Sequence, residues 1–159
     1  MVDPSLTLQA LRADDPRSRA LLEEYFEMRG TSFPKGQAYR PVFPDAAVFE
    51  PPAGVFLVAV ADGRDLGCGG IRRIDDGPAG PRYEVKHLYL RPETRGRGWG
   101  RALLSALEER ARAWGAADLV LDTHHTLTAA GGLYASAGFT PVAAYNDNPN
   151  ATVWLAKAL

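Results

Sequence analysis

The chain has 159 residues, 46% of them hydrophobic and 23% charged, with a formal net charge of -1. That composition fits one soluble globular domain over residues 1–159, large enough to bury a core, and sets aside disordered and collagen-like chains. The near balance of charge argues against a dedicated nucleic-acid binder, the single cysteine excludes an intrachain disulfide, and no apolar run nears the roughly 20 residues needed to cross a membrane.

The opening residues, MVDPSLTLQALRADD, lack the basic-then-apolar order of a signal peptide, so the expected location is the cytoplasm. LTLQAL (6–11) alternates as a short strand. Residues 14–30 read as a helix, with Asp14 or Asp15 as cap, Pro16 in the first turn and Gly30 as the stop. Residues 31–52 are rich in proline and aromatics and form a long loop, with a helical turn near PDAAVF; Phe33, Tyr39, Phe43 and Phe49 favour an ordered wall. Residues 54–75 form a hairpin about Asp62-Gly63, a turn signal of the favoured type. RYEVKHLYL (82–90) is a third strand, with Val85, His87 and Tyr89 on one face and Glu84, Lys86, Leu88 and Leu90 on the other. A helix follows from about Trp99 to Trp114, its apolar side made by Leu103, Leu107, Ala111 and Trp114. DLVLDT (118–123) is an apolar, central strand. A shorter helix over 127–138 and two closing strands, 139–145 and 151–159, complete the order β-α-loop-β-β-β-α-β-α-β-β. The fold class is α/β: a single mixed, mostly antiparallel central sheet flanked by helices.

The chemistry concentrates at RPETRGRGWGRALL (91–104), where the third strand passes through a glycine-rich turn into a helix. The first backbone N–H groups of a helix lack internal partners and the helix dipole favours negative charge there, so such a turn suits a phosphate. Glycines allow close approach, and Arg95, Arg97 and Arg101 add charge-assisted hydrogen bonds. The turn has no GKS or GKT and no G-x-G-x-x-G, so it is neither a P-loop nor a dinucleotide fingerprint. By itself it reads equally as a surface loop. RNA binding through RGRG lacks repeated units and a basic balance.

With its flanks the stretch resembles the GCN5-related N-acetyltransferase (GNAT) superfamily. Arg95, Gly98 and Gly100 match that family's acyl-CoA signature at a strand-to-helix turn, and LYASAGF (133–139) matches its LY...GF helix end. The resemblance runs from about Val55 to the C-terminus and is strongest over 82–139. It implies the family's fold, with the central strands that begin near Glu84 and Asp118 splayed apart, and an acetyl-CoA-dependent N-acetyltransferase acting on a small-molecule or peptide amine. Acetyl-CoA would be the acyl donor, with no metal. Its pyrophosphate would sit on the amides of Gly96, Arg97, Gly98, Trp99, Gly100 and Arg101, beside Arg95. The backbone of Leu88, Tyr89 and Leu90 would pair with the pantetheine arm, and an amide at Leu88 or Tyr89 would hold the oxyanion. Trp99 would also anchor the helix.

Tyr134 is the expected general acid to the CoA thiolate, against a plain core role. Glu84, acting directly or through water, is the expected base, against a surface carboxylate paired with Lys86 or Arg82. His87 is a rival base that alternation places opposite Glu84, unless a bulge intervenes. Many relatives carry Asn where Leu127 stands, so Thr126 or Thr128 would have to substitute. Adjacent His124 and His125 lack partners at a metal-binding spacing, and Cys68 reads as a buried hydrophobe.

The acceptor site is expected from the first helix, the 31–52 loop and the final turn. Its candidates are Asn146, Asp147, Asn148, Glu24, Glu27, Arg29, Arg40 and Tyr39, each a turn or surface residue by default. Neither nucleic acid nor a membrane is an expected partner, and a homodimer stays open. A non-catalytic acyl-CoA sensor is the alternative function.

Overall fold

A computed structural model describes residues 5–159. Strand β1 (Thr7–Ala10) leads into helix α1 (Pro16–Ser32). Asp15 caps α1, its side chain accepting from the Arg17 N–H at 2.9 Å, and Pro16 takes the first turn, where no N–H is needed. The helix passes the expected stop at Gly30. It ends when Phe33, held extended at φ -72° and ψ 144° by the following Pro34, can no longer continue it. The long loop carries one 3₁₀ turn (Ala46–Phe49), capped by the Asp45 side chain.

Strands β2 (Gly54–Ala61) and β3 (Arg64–Gly77) form the expected hairpin; Asp62 and Gly63 both have positive φ, 51° and 71°, as its tight turn requires. β4 (Gly80–Leu90) pairs with β3. It is followed by a 3₁₀ turn (Pro92–Thr94), α2 (Trp99–Ala113), β5 (Asp118–Thr123), α3 (Thr128–Ser136), β6 (Thr140–Pro141) and β7 (Val153–Ala158). The seven strands lie in the order β1-β2-β3-β4-β5-β7-β6, antiparallel throughout except for β4 beside β5.

That parallel pair is short. Arg82, Tyr83 and Glu84 face Asp118, Leu119 and Val120, and no pairing continues beyond Glu84 and Val120. Arg82 reinforces the join with two hydrogen bonds to Asp118, at 3.0 and 2.7 Å. Past it the strands diverge, as expected.

One face of the sheet packs on α2 and α3 through Val85, Leu103, Leu107, Leu119 and their neighbours. The other packs on α1 through Leu21, Leu22, Phe26, Phe49 and Phe56. The simple alternation expected for β4 breaks at His87, which has φ 58° and sits where the β3–β4 register shifts. This bulge turns His87 toward α1, against Tyr25, Phe26 and Phe49, and turns Leu88 onto the α2 face. The strand expected over 139–145 shrinks to Thr140–Pro141. Pro141 donates no backbone hydrogen bond; Val142 still donates to the Trp154 carbonyl at 2.9 Å, and the chain beyond it leaves the edge as Tyr145 reaches Glu84 and Asn146 reaches Asp122.

Candidate active site

The divergence of β4 and β5 opens a cavity of about 930 Å³. One arm runs along the free edge of β4 to the turn before α2. The other runs beneath α1 and the 33–45 loop.

In the first arm, the earliest helical bond of α2 is from the Ala102 N–H to the Gly98 carbonyl, at 3.1 Å. Among the described residues, the amides of residues 96–101 therefore donate to no protein group. Gly96 and Gly98 adopt φ 80° and 76° with nothing within 4 Å of where a Cβ would stand, so the turn presents bare backbone. Gly100 is constrained differently: a Cβ there would stand 3.2 Å from both Leu133 and Leu90, so glycine lets α2 start tight against α3 and β4. Arg95 and Arg97 are exposed, as is Arg101, which donates to the Ser136 hydroxyl. Trp99 is 2% exposed and packs with Ala61 and Leu66. Its side chain is thus a helix anchor, and only its amide can meet a ligand. Arg91, bound twice to Glu24 at 2.9 and 2.6 Å, ties the turn to α1. Tyr89 and Leu90 pair with β3 on one side, and Leu88, Tyr89 and Leu90 all line the cavity.

Tyr134 projects from α3 into the same cavity. Its hydroxyl makes no hydrogen bond among the described residues. Burial pushes its pKa up to about 12, against a downward pull from the Arg29 charge.

Glu84 lies elsewhere. It is 1% exposed and does not line the cavity. Its Oε1 accepts from Arg72 Nε and Nη2, at 3.0 and 2.9 Å, and its Oε2 accepts from the Tyr145 hydroxyl at 2.6 Å. The bulge brings His87 to the cavity, boxed by aromatic rings. Burial, aided by the Lys86 and Arg72 charges, pushes the His87 pKa down to about 3, so the ring is neutral at ordinary pH.

Two further groups stand on the cavity wall: Asp122, which no pattern singled out, and Arg29, one of the acceptor-site candidates. Asp122, at the end of the apolar β5, accepts from Asn146 and Asn148 at 2.7 and 3.1 Å and lies 3.4 Å from Lys86 Nζ. Asn146 and Asn148 also brace their own turn, accepting from the amides of Asn148 and Asn150. The signal for Asp122 is a carboxylate directly after the apolar Leu119-Val120-Leu121 run of β5. Arg29, a surface residue by default, is 5% exposed on the stripe with Leu22 and Phe26. Its spacing, three after Phe26 and seven after Leu22, was the available clue.

Leu127, Thr126 and Thr128 all line the cavity, and the Thr126 hydroxyl is engaged with His124 Nδ1 at 2.7 Å. His124 and His125 stack on each other at 4.5 Å, and His125 Nδ1 lies 2.9 Å from the Thr152 hydroxyl. Cys68 is fully buried, and burial pushes its thiol pKa up. No helix among the described residues is long and apolar enough to cross a membrane.

Comparison with known proteins agrees with this geometry. A model of the acetyltransferase (GNAT) family matches residues 18–139. An uncharacterized N-acetyltransferase from Schizosaccharomyces pombe is 38% identical over 103 residues, which make up 64% of this chain and 61% of that protein. The match thus spans about three fifths of the length of that relative. A GNAT-family acetyltransferase from Staphylococcus aureus superimposes with a TM-score of 0.76 at 15% identity, covering 96% of this chain and 98% of that one. The PaiA N-acetyltransferase from Thermoplasma acidophilum, solved in complex with coenzyme A, gives a TM-score of 0.74 at 17% identity, covering 98% and 99%. The splayed seven-stranded sheet is the fold of these enzymes, and the family match covers most of the sequence: the chain belongs to the GNAT acetyltransferase family.

Proposed function

We propose that this chain transfers the acetyl group of acetyl-CoA to a primary amine by direct attack. The observation that carries the reading is convergence: the unpaired edge of β4, the unbonded Tyr134 hydroxyl, and Arg95 and Gly100 of the turn whose amides are free all line one cavity.

The residues fit the donor. The amides of residues 96–101 suit a pyrophosphate, with Arg95, Arg97 and Arg101 around it. The backbone of Leu88, Tyr89 and Leu90 suits an amide-bearing arm laid alongside as an added strand, and an amide at Leu88 or Tyr89 would hold the carbonyl oxygen as it gains charge.

In the reaction the amine nitrogen bonds to the thioester carbon, the carbon–sulfur bond breaks with its electrons on sulfur, and the amine loses a proton. Full proton transfer from a phenol near 12 to a thiolate whose acid lies near 8.5 runs uphill by about 5 kcal/mol. Tyr134 therefore acts chiefly by donating a hydrogen bond to the sulfur as charge develops there. The amine proton leaves through water in the open cavity, with Asp122 as a carboxylate on the wall. Glu84, with both oxygens occupied below the cavity, positions Arg72 and Tyr145 in place of acting as the base.

Calorimetry with acetyl-CoA tests the donor, and thiol release with a panel of amines tests turnover. No binding at about 500 μM, an affinity short of about -4.5 kcal/mol, sinks the reading. Binding without thiol release from any amine would make the chain an acyl-CoA sensor.

A further inference from the structure

We propose that the acetyl acceptor is a small amine that also carries a carboxylate beside an apolar body, and that Arg29 binds the carboxylate. The inference rests on the transferase reading and adds the substrate class.

Arg29 stands at the last turn of α1 with 5% of its surface exposed, and it lines the acceptor arm of the cavity. Its Nη2 donates to the Asn150 backbone carbonyl at 3.0 Å. Its Nη1 is buried and has no partner. Among the described residues no carboxylate lies within ion-pair distance of it.

The other cations of this cavity wall are either paired, Arg72 with Glu84 and Lys86 with Asp122, or exposed to water, as Arg40 and Arg95 are, and nearby Arg91 is paired with Glu24. His87, held neutral by burial, adds no charge. Arg29 is therefore the buried cation left over. A guanidinium in that state is costly unless something anionic meets it. The rings of Phe33 and Tyr39, 6.0 and 5.2 Å from its central carbon, offset part of the cost and hold the guanidinium in place. The guanidinium pulls the Tyr39 pKa down against burial through its charge and a side-chain contact with the hydroxyl, yet Nη1 itself is left without a hydrogen-bond partner. A carboxylate supplies one, and a planar guanidinium presents its N–H groups in the geometry that a carboxylate matches.

Distance and surroundings narrow the class. Arg29 and Tyr134 line the same cavity, so an anion on Arg29 and an amine at the reacting centre fit within one small molecule. Around this arm the cavity wall is aromatic: Tyr25, Phe26, Phe43, Phe49 and the neutral His87 ring. An amino acid with an apolar side chain satisfies all three demands.

The test compares amines that differ at one group. Thiol release is measured with phenylalanine, phenylalaninamide and phenethylamine, and with leucine, leucinamide and isoamylamine. The amide has the less basic amine, so any chemical bias runs against the proposal. In the wild type, kcat/KM for the acid should exceed that for its amide and its decarboxylated amine by about 10- to 100-fold, the range for losing a buried charge-assisted partner. Arg29→Met should reduce that ratio to about threefold or less while acetyl-CoA still binds by calorimetry. If Arg29→Met no longer binds acetyl-CoA, the wild-type ratios alone decide. Equal kcat/KM for acid and amide in the wild type, or an Arg29→Met that binds acetyl-CoA and keeps the preference, overturns the assignment. Turnover confined to amines without a carboxylate overturns it too, yet leaves the transferase reading intact. No thiol release with any amine overturns both.

Discussion

Replacing Glu84 by glutamine separates a positioning role from a proton-transfer role. In the wild type the carboxylate accepts two hydrogen bonds from Arg72 and one from Tyr145. Glutamine keeps an acceptor for one partner but loses the charge that Arg72 requires, and its NH₂ must face a donor. A charged hydrogen bond is worth about 1.5–3 kcal/mol net. The Arg72 side chain is 38% exposed, so water recovers part of that loss, and the expected cost is about 2 kcal/mol. For a chain of this size that lowers Tm by roughly 4–8 °C. Thermal unfolding followed by circular dichroism reads this, and thiol-release kinetics across pH read the function. The expected kcat falls by less than about tenfold, and the acid limb of the pH profile persists. A variant with Tm unchanged within about 1 °C, kcat lowered about a hundredfold and the acid limb lost would show Glu84 to be the proton acceptor and refute the geometric argument.

Tyr134→Phe removes the hydroxyl proposed to donate to the sulfur, and no hydrogen bond within the chain; kcat should fall about 10²- to 10⁴-fold with acetyl-CoA affinity by calorimetry unchanged, and an unchanged kcat removes Tyr134 from the mechanism. Gly98→Asp places a carboxylate beside the free amides; positive φ costs about 1 kcal/mol, offset by the cap the Asp side chain provides. Tm should therefore stay nearly constant while acetyl-CoA binding weakens about tenfold or more. His87 has a folded pKa near 3, below the unfolded value near 6.5, so the unfolded chain takes the extra proton. Stability is full above about pH 6.5 and is lost as pH falls toward 3, by up to about 2 kcal/mol at pH 5. His87→Asn, tolerant of positive φ, should show a flatter fall in Tm between pH 7 and pH 5; an equal slope would exclude His87 as the source.

Local signals carried most of the architecture. The Asp-Gly turn, the Asp15 cap, the Leu103-Leu107-Ala111 stripe and the apolar 118–123 run depend on neighbours within a few residues, and each element appears where its pattern places it. Boundaries set by tertiary partners were not legible. The 139–145 strand is cut short at Pro141 by side chains drawn to Glu84 and Asp122, partners distant in sequence. The His87 bulge was legible only as an option, because alternation alone cannot mark the residue that will be skipped. At the site, the turn was readable because its free amides and positive-φ glycines are backbone properties set by local sequence. The side chains were harder: Glu84 matched a spacing, but its two partners come from β3 and the final turn, and only the folded chain shows its oxygens occupied. Arg29 looked like surface because charge is the usual guide to exposure, and here helical spacing overrides it.

The three residue pairs joining β4 to β5 have a mechanical consequence. They form the short seam between the sheet's two halves, with four strands on one side and three on the other. A donor laid along β4 in the gap would act as a staple between the two halves, and part of its binding free energy would be cohesion of the sheet itself. Backbone amides at the seam should then exchange more slowly with donor bound, and by more than those at the hairpin of β2 and β3, which is closed along its whole length.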